Sequence, residues 1–186
     1  SGISATGINA GYMNPGFNKD GNLRANMVIN GNVTMKDDSY TGGWGITAND
    51  IHGGSFPDTN YEGARWQPVA IKAGLAGDIT INGDVDIAVM GTGLATDPYY
   101  VAKNVDDYDL AHINLNGNVN IITPEDKTEA FYSVANYGGT ININTDGTNV
   151  GDKKVVLFGN VLTMAERILS SGSSGGDYFY RDGRTN

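Results

Sequence analysis

The chain carries 21 acidic side chains, two histidines and no cysteine, and these bound the chemistry open to it. Without cysteine there is no thiolate metal site, no thiol nucleophile and no disulfide framework. A metal site built on His52 or His112 needs carboxylate partners at ligand spacing, and neither neighbourhood supplies a set. His112 precedes Ile113 at an outward strand position and is expected to be an exposed sheet residue. Gly172-Ser173-Ser174-Gly175-Gly176 matches the Gly-x-Ser-x-Gly pattern of a nucleophile elbow, and His52-Gly53-Gly54 resembles an oxyanion loop. A hydrolase of that kind places its histidine after the serine, yet both histidines precede Ser174. Gly91-Thr92-Gly93-Leu94-Ala95-Thr96 lacks the third glycine of a dinucleotide loop and reads as a turn. Asn18-Lys19-Asp20-Gly21-Asn22 lacks the ligand spacing and closing glutamate of a calcium loop, and Asp106-Asp107-Tyr108-Asp109 reads as a solvated loop. No catalytic residue, cofactor or metal ligand is expected.

The elements that would position any site come from an internal repeat. Ile79-Thr80-Ile81-Asn82-Gly83-Asp84-Val85-Asp86-Ile87 returns as Met27 to Met35 and as Ile113 to Ile121. Val155-Val156-Leu157-Phe158-Gly159-Asn160-Val161-Leu162-Thr163 reads as a fourth, degraded copy. Asn-Gly between alternating residues first suggests a two-residue hairpin. That hairpin sets Ile81 opposite Asp84 and Ile79 opposite Asp86, so its two arms bury opposite faces. Leaving two or three aliphatic side chains in water, at about 1.5–3 kcal/mol each, outweighs one good turn. The parity favours another fold. Ile79, Ile81, Gly83, Val85 and Ile87 are all odd-numbered, so the alternation runs straight through the glycine. A glycine among inward-facing aliphatics suits a corner where the chain passes from one sheet to the next. The expected fold is all-β, a parallel solenoid with Gly31, Gly83, Gly117 and Gly159 stacked at one corner and Ile81 beside Leu115 in the core.

The chain, 186 residues long, is expected to form one solenoid domain: residues 1–25 as an N-terminal cap, 26–163 as coils, and 164–186 as a C-terminal end. Short apolar segments lead into the repeats: Pro68 to Ala73, Tyr99 to Ala102, and Glu129 to Ala135. Trp44 to Ala48 is a further strand candidate, Thr163 to Ser170 reads as helical turns, and Asp177 to Gly183 as a last strand. Corner glycines lie 83 − 31 = 52, 117 − 83 = 34 and 159 − 117 = 42 residues apart, so loops of unequal length protrude, and the widest gap has room for an extra coil. A net charge of −9 with an isoelectric point near 4.4 argues against nucleic acid or anionic lipid as the main partner. No apolar run approaches the ~20 residues of a membrane helix, so this stretch is not expected to insert in a membrane. The chain begins Ser1-Gly2, as expected of a processed product or a fragment.

Val69-Ala70-Ile71-Lys72-Ala73 before Gly77-Asp78-Ile79-Thr80-Ile81-Asn82-Gly83-Asp84-Val85, and Glu129 to Ser133 before Gly138-Gly139-Thr140-Ile141-Asn142-Ile143, resemble coils of bacterial autotransporter passenger domains. The resemblance covers roughly residues 26–163 and is one of repeat style. It implies a right-handed parallel β-helix of the pectin-lyase type, displayed outside a Gram-negative outer membrane for adhesion or aggregation. The membrane barrel typical of that family is not in this sequence, so a fragment of a longer passenger is implied.

β-Helical polysaccharide lyases and hydrolases are the alternative, because they use acidic clusters on one sheet face. Asp78, Asp84 and Asp86 do point outward by parity, but outward Asn, Asp and Thr columns arise in any β-helix, and no basic column is read facing them. A purely structural stalk is a third reading. The expectation is a binding module without enzymatic activity, its partner a host or bacterial surface glycan or protein, or another copy of itself. Tyr40, Phe56, Tyr61, Tyr99 and Tyr100 are the candidate contacts, because tyrosines and tryptophans dominate binding hot spots and these lie in or beside long loops. Trp44 and Trp66 share the longest stretch, residues 36–66, but are expected to pack beneath it.

Overall fold

The computed structural model describes residues 8–10, 25–37, 45–48, 55–58, 65–74, 77–97, 111–123, 132–145, 152–163, 166–169, 178–181 and 183–186. Among them the chain forms, in order, β1 (Ile8–Ala10), β2 (Ala25–Ile29), β3 (Val33–Asp37), β4 (Ile46–Ala48), β5 (Ser55–Asp58) and β6 (Arg65–Gly74). There follow β7 (Gly77–Ile81), β8 (Val85–Val89), β9 (Thr92–Asp97), β10 (His112–Leu115), β11 (Val119–Ile122) and β12 (Tyr132–Asn136). The last are β13 (Thr140–Ile143), β14 (Val155–Phe158), β15 (Asn160–Thr163), β16 (Glu166–Leu169), β17 (Tyr178–Arg181) and β18 (Arg184–Thr185).

Three parallel sheets form the walls of a β-helix. Wall one stacks β1, β4, β6, β9, β12 and β15; wall two stacks β2, β7, β10, β13 and β18; wall three stacks β3, β8, β11 and β14. From β6 onward the chain visits walls one, two and three in rotation, returning one strand higher each time. The coil from β6 to β9 carries no insertion: Val69 pairs with Thr92, a repeat of 92 − 69 = 23 residues.

Register follows from the alternation. On wall two Met27, Ile79, Ile113 and Ile141 stack, with Ile81 paired to Leu115; on wall three Val33, Val85 and Val119 stack beside Met35, Ile87 and Ile121. Ile71, Leu94 and Val134 close the core from wall one. A one-residue slip would turn each of these rows into water, which is why the register holds.

Between walls two and three the chain turns on Asn30-Gly31-Asn32, Asn82-Gly83-Asp84 and Asn116-Gly117-Asn118. A Cβ on Gly83 would lie 2.2 Å from the Gly31 carbonyl oxygen, and one on Gly117 only 2.1 Å from that of Gly83. These three glycines stack as expected. None of the three has a left-handed φ, so at Gly83 and Gly117 it is the close approach of the preceding coil, not backbone conformation, that demands glycine, while Gly31 has nothing within 4 Å.

Gly159 does not join that stack. Val155 pairs with Val119, so β14 lies on wall three, and Gly159 (φ 136) turns the chain from wall three to wall one against Thr123. The fourth copy of the repeat is therefore offset by one wall. Asn144 occupies the corresponding corner, with φ 55, a left-handed conformation that asparagine tolerates. Among the described residues the widest gap shows no complete extra coil. It holds β4, an added wall-one strand between β1 and β6, and β5, which runs antiparallel to the first half of β6. The expected turn at Gly91–Thr96 is strand from Thr92 onward, in β9, and position 93 is glycine because a Cβ there would meet Ile121 Cγ2 at 2.5 Å. The expected helical turns after Met164 are β16, paired antiparallel with β17, and the coils resume only at β18. Within residues 1–25, Ile8–Ala10 pairs with Ile46–Ala48 and extends wall one.

Candidate functional site

The long connections are not spread evenly around the helix. Residues 38–45 and 123–131 lead from wall three into wall one, while 98–111 and 164–183 lead from wall one into wall two. The stretch 49–64 leaves wall one after β4 and returns to it at β6. The turn from wall two to wall three is three residues long in the first three coils and lengthens only between β13 and β14. Most long connections thus lie along the two margins of wall one, with residues 144–154 the exception.

Wall one is also the sheet buried on both faces. Thr47, Lys72, Ala95 and Ala135 share one row and are 0–2 % exposed, whereas the outward Thr34 and Lys36 of wall three are exposed. Val69, Ala95, Ala135 and Tyr137 form a second apolar cluster, with Tyr132 and Leu162 packed against it. Lys72 is buried there and is not without a partner.

Of the candidate contact residues, Phe56 lies on β5, where it pairs with Gln67 of β6; Trp66, on β6, pairs with Pro57. Tyr40, Tyr61, Tyr99, Tyr100 and Trp44 lie outside the described residues, as do His52, the Asp106–Asp109 loop, the Asn18–Asn22 loop and Ser174. By chain position Tyr40 belongs to the connection between β3 and β4, Tyr61 to that between β5 and β6, and Tyr99 and Tyr100 to that between β9 and β10.

The outer faces of walls two and three carry polar columns. At the glycine corner the Asn82 amide donates to Asn30 Oδ1 at 2.8 Å, and the Asn116 amide to Asn82 Oδ1 at 2.9 Å. Across the corner the Asp84 N–H donates to Asn32 Oδ1, the Asn118 N–H and amide to Asp84 Oδ1, and the Lys154 N–H to Asn118 Oδ1. A third column runs from Asn186 to Asn142 to Asn114, each amide donating at 2.9 Å. Every rung joins one coil to the next, so the columns reinforce the stack.

Two pairs carry acid–base potential that sequence spacing did not disclose. His112 lies on the outer face as expected but is half-buried, and its Nδ1 stands 2.8 Å from Asp78 Oδ1. An aspartate holding a histidine is the orienting half of a hydrolytic triad. Asn26 and Thr140 are the other neighbours in that column. On wall three a single lysine, not a basic column, meets an acid: Lys36 Nζ is 3.2 Å from Asp86 Oδ2. Register places Lys36 beside Ala88 and diagonal to Asp86, within reach of its flexible stem.

The Asn120 amide, then the Lys36 ammonium, hold the Asp86 carboxyl below the ordinary aspartate value, with slight burial pulling the other way. A depressed carboxyl contributes stability that is present above its unfolded pKa of about 3.9 and lost as pH falls through the folded value. Because the Asp86 side chain is 40 % exposed, water screens the term and it is small. In urea titrations Asp86→Asn should unfold slightly earlier than the parent near neutrality, and the gap should shrink over the acid range, from about pH 5 down through the folded value. A gap that is the same at both ends of that range would remove the carboxylate from the account.

Among the described residues there is no group of three or more His, Cys, Asp or Glu placed to hold a metal ion, and no helix long and apolar enough to cross a membrane. Compared with protein-family models, curated proteins and solved structures, the chain matches none.

Proposed function

We propose that this chain is part of the secreted passenger of an autotransporter-type protein, displayed on a Gram-negative surface, in which the β-helix is scaffold and its connections mediate adhesion or aggregation. The observation that supports this is the sorting of connections: three of the four corners between walls two and three are tight, while most long insertions lie along the margins of wall one. Scaffolds that vary in their loops and keep their strands regular place recognition in the loops. The candidate partner is a surface glycan, a surface protein or a second copy of the chain, and Tyr61 is the preferred single contact.

Replacing residues 50–64 by a short Gly/Ser linker removes β5 and Tyr61 but keeps the parallel pairing of β4 with β6. With sheet content preserved by circular dichroism, the variant should lose binding to cells and glycan arrays that the parent retains. Undiminished binding by a folded variant would turn the reading toward a stalk. One observation favours that second reading: core-facing Val155 and Val161 of the last coil are 43 % and 55 % exposed, while Val119 and Val134 beneath them are buried. A surface of that kind suits further β-structure stacked on the end of the coils.

A further inference from the structure

The corner that turns wall two into wall three repeats one dipeptide, Asn-Gly, at Asn30, Asn82 and Asn116. In an Asn-Gly pair the backbone nitrogen of glycine, once a base has taken its proton, can attack the asparagine Cγ. The new N–Cγ bond closes a succinimide as the Cγ–Nδ2 bond breaks and ammonia leaves with a solvent proton. Water then opens the ring at either carbonyl, giving aspartate or isoaspartate; the net change consumes one water and releases one ammonia. Glycine favours the step because it has no side chain to hinder the attack.

The three asparagines are not equivalent in the stack. Asn82 is bonded on both sides, donating its amide to Asn30 and accepting that of Asn116. Asn116 also commits its amide, to Asn82 Oδ1. Asn30, on the edge strand's side of the ladder, only accepts: its own Nδ2, the leaving group, donates to no partner among the described residues, and the residue is exposed. The backbone differs too. A Cβ at Gly83 or Gly117 would strike the preceding coil's carbonyl, so those corners have little freedom to rotate toward attack, whereas Gly31 has nothing within 4 Å.

We infer that Asn30 is a self-modification site of the folded chain, and that the ladder protects Asn82 and Asn116 from the same chemistry. Conversion of Asn30 places a new carboxylate, and in the isoaspartyl product one extra backbone methylene, at the first corner of the helix.

The test is incubation of the whole folded chain in mildly alkaline buffer, with peptide mapping by mass spectrometry at intervals. Asn30 should convert at least about five-fold faster than Asn82 or Asn116, the ratio equivalent to breaking one hydrogen bond of about 1 kcal/mol. In denaturant the three should convert at similar rates, because the ladder is gone. Gly31→Ala, for which there is space, should slow Asn30 while leaving the fold intact. Asn30→Ala takes the acceptor from the Asn82 amide and should raise conversion at Asn82. Equal native rates at the three sites, or an Asn82 rate unchanged in Asn30→Ala, would overturn the inference.

Discussion

Gly83→Ala should lower the urea midpoint sharply, while Gly31→Ala should leave it unchanged or raise it slightly. The two glycines occupy the same place in successive coils, so local propensity does not separate them. What separates them is what lies beneath. A Cβ on Gly83 would lie 2.2 Å from the Gly31 oxygen, 2.5 Å from its carbonyl carbon and 3.0 Å from the Asn32 nitrogen. All three are backbone atoms, fixed by bonds on either side: Asn82 N–H to Ile29 O and Val33 N–H to Asp84 O, both 2.8 Å. Neither coil can yield without stretching those bonds, so the expected penalty is that of severe overpacking, about 2–3 kcal/mol. Gly31 faces open space, and its φ lies outside the left-handed region. Alanine there restricts the unfolded chain, an effect worth about 0.4–1 kcal/mol in favour of folding. Chemical denaturation followed by circular dichroism decides it. Equal midpoints for the two variants would mean that coil-to-coil approach does not select glycine at this corner.

The same corner marks how far the sequence could be read. Alternation through Gly31, Gly83 and Gly117 was enough to reject a hairpin and to pair Ile81 with Leu115, because only one parity buries the aliphatics. Parity cannot say which wall a segment occupies, since all three walls alternate alike. That is why Gly159, a corner between walls three and one, resembled the others, while the fourth corner between walls two and three begins at Asn144, in register with Asn116. Glycine content concealed β9, which needs Gly93 for close packing against Ile121. The short apolar run at Ile168 and Leu169 fits a helical turn or a strand equally well, and pairing with β17 decides for the strand. Outward positions of Asp78, Asp86 and His112 were legible, but their partners were not. His112 and Asp78 stand 112 − 78 = 34 residues apart, a separation set by the length of one inserted loop and not by any local pattern. The aromatic contact residues were chosen from loop composition, which carries no register at all.

The largest effect is expected at a residue that composition would class as an ordinary loop asparagine. Asn136 ends β12, is 0 % exposed, and ties three coils together. Its Oδ1 accepts from Thr96 Oγ1 of the preceding coil at 2.8 Å and from the Gly138 N–H at 3.0 Å, the latter closing the turn that precedes β13. Its amide faces Gly139 O at 3.2 Å, Arg184 O at 3.0 Å and Thr185 Oγ1 at 3.3 Å, the last two on the final coil. Leucine has the same side-chain branching in a bulkier form and none of these bonds. In Asn136→Leu the Thr96 hydroxyl and the Gly138 N–H lose their partner together, at about 1–3 kcal/mol for each buried group left unsatisfied. The summed loss should therefore be about 3–5 kcal/mol, with β18 released first, because the Arg184 and Thr185 bonds go at the same time. Asn142→Leu is the control: Asn142 is a half-buried rung of the outer ladder, water can replace its bonds, and its loss should be under about 1 kcal/mol. Asn136→Asp separates acceptor from donor. It keeps the Oδ1 role but turns a buried charge toward two carbonyls, so burial raises the new carboxyl's pKa and the variant should recover stability as pH falls. Urea midpoints give the totals, and exchange of the Arg184 and Asn186 amides, which bond to Gly139 O and Ile141 O, reports release of the last coil. A leucine variant at 136 no weaker than the one at 142 would show that the buried hub does not anchor the final coil.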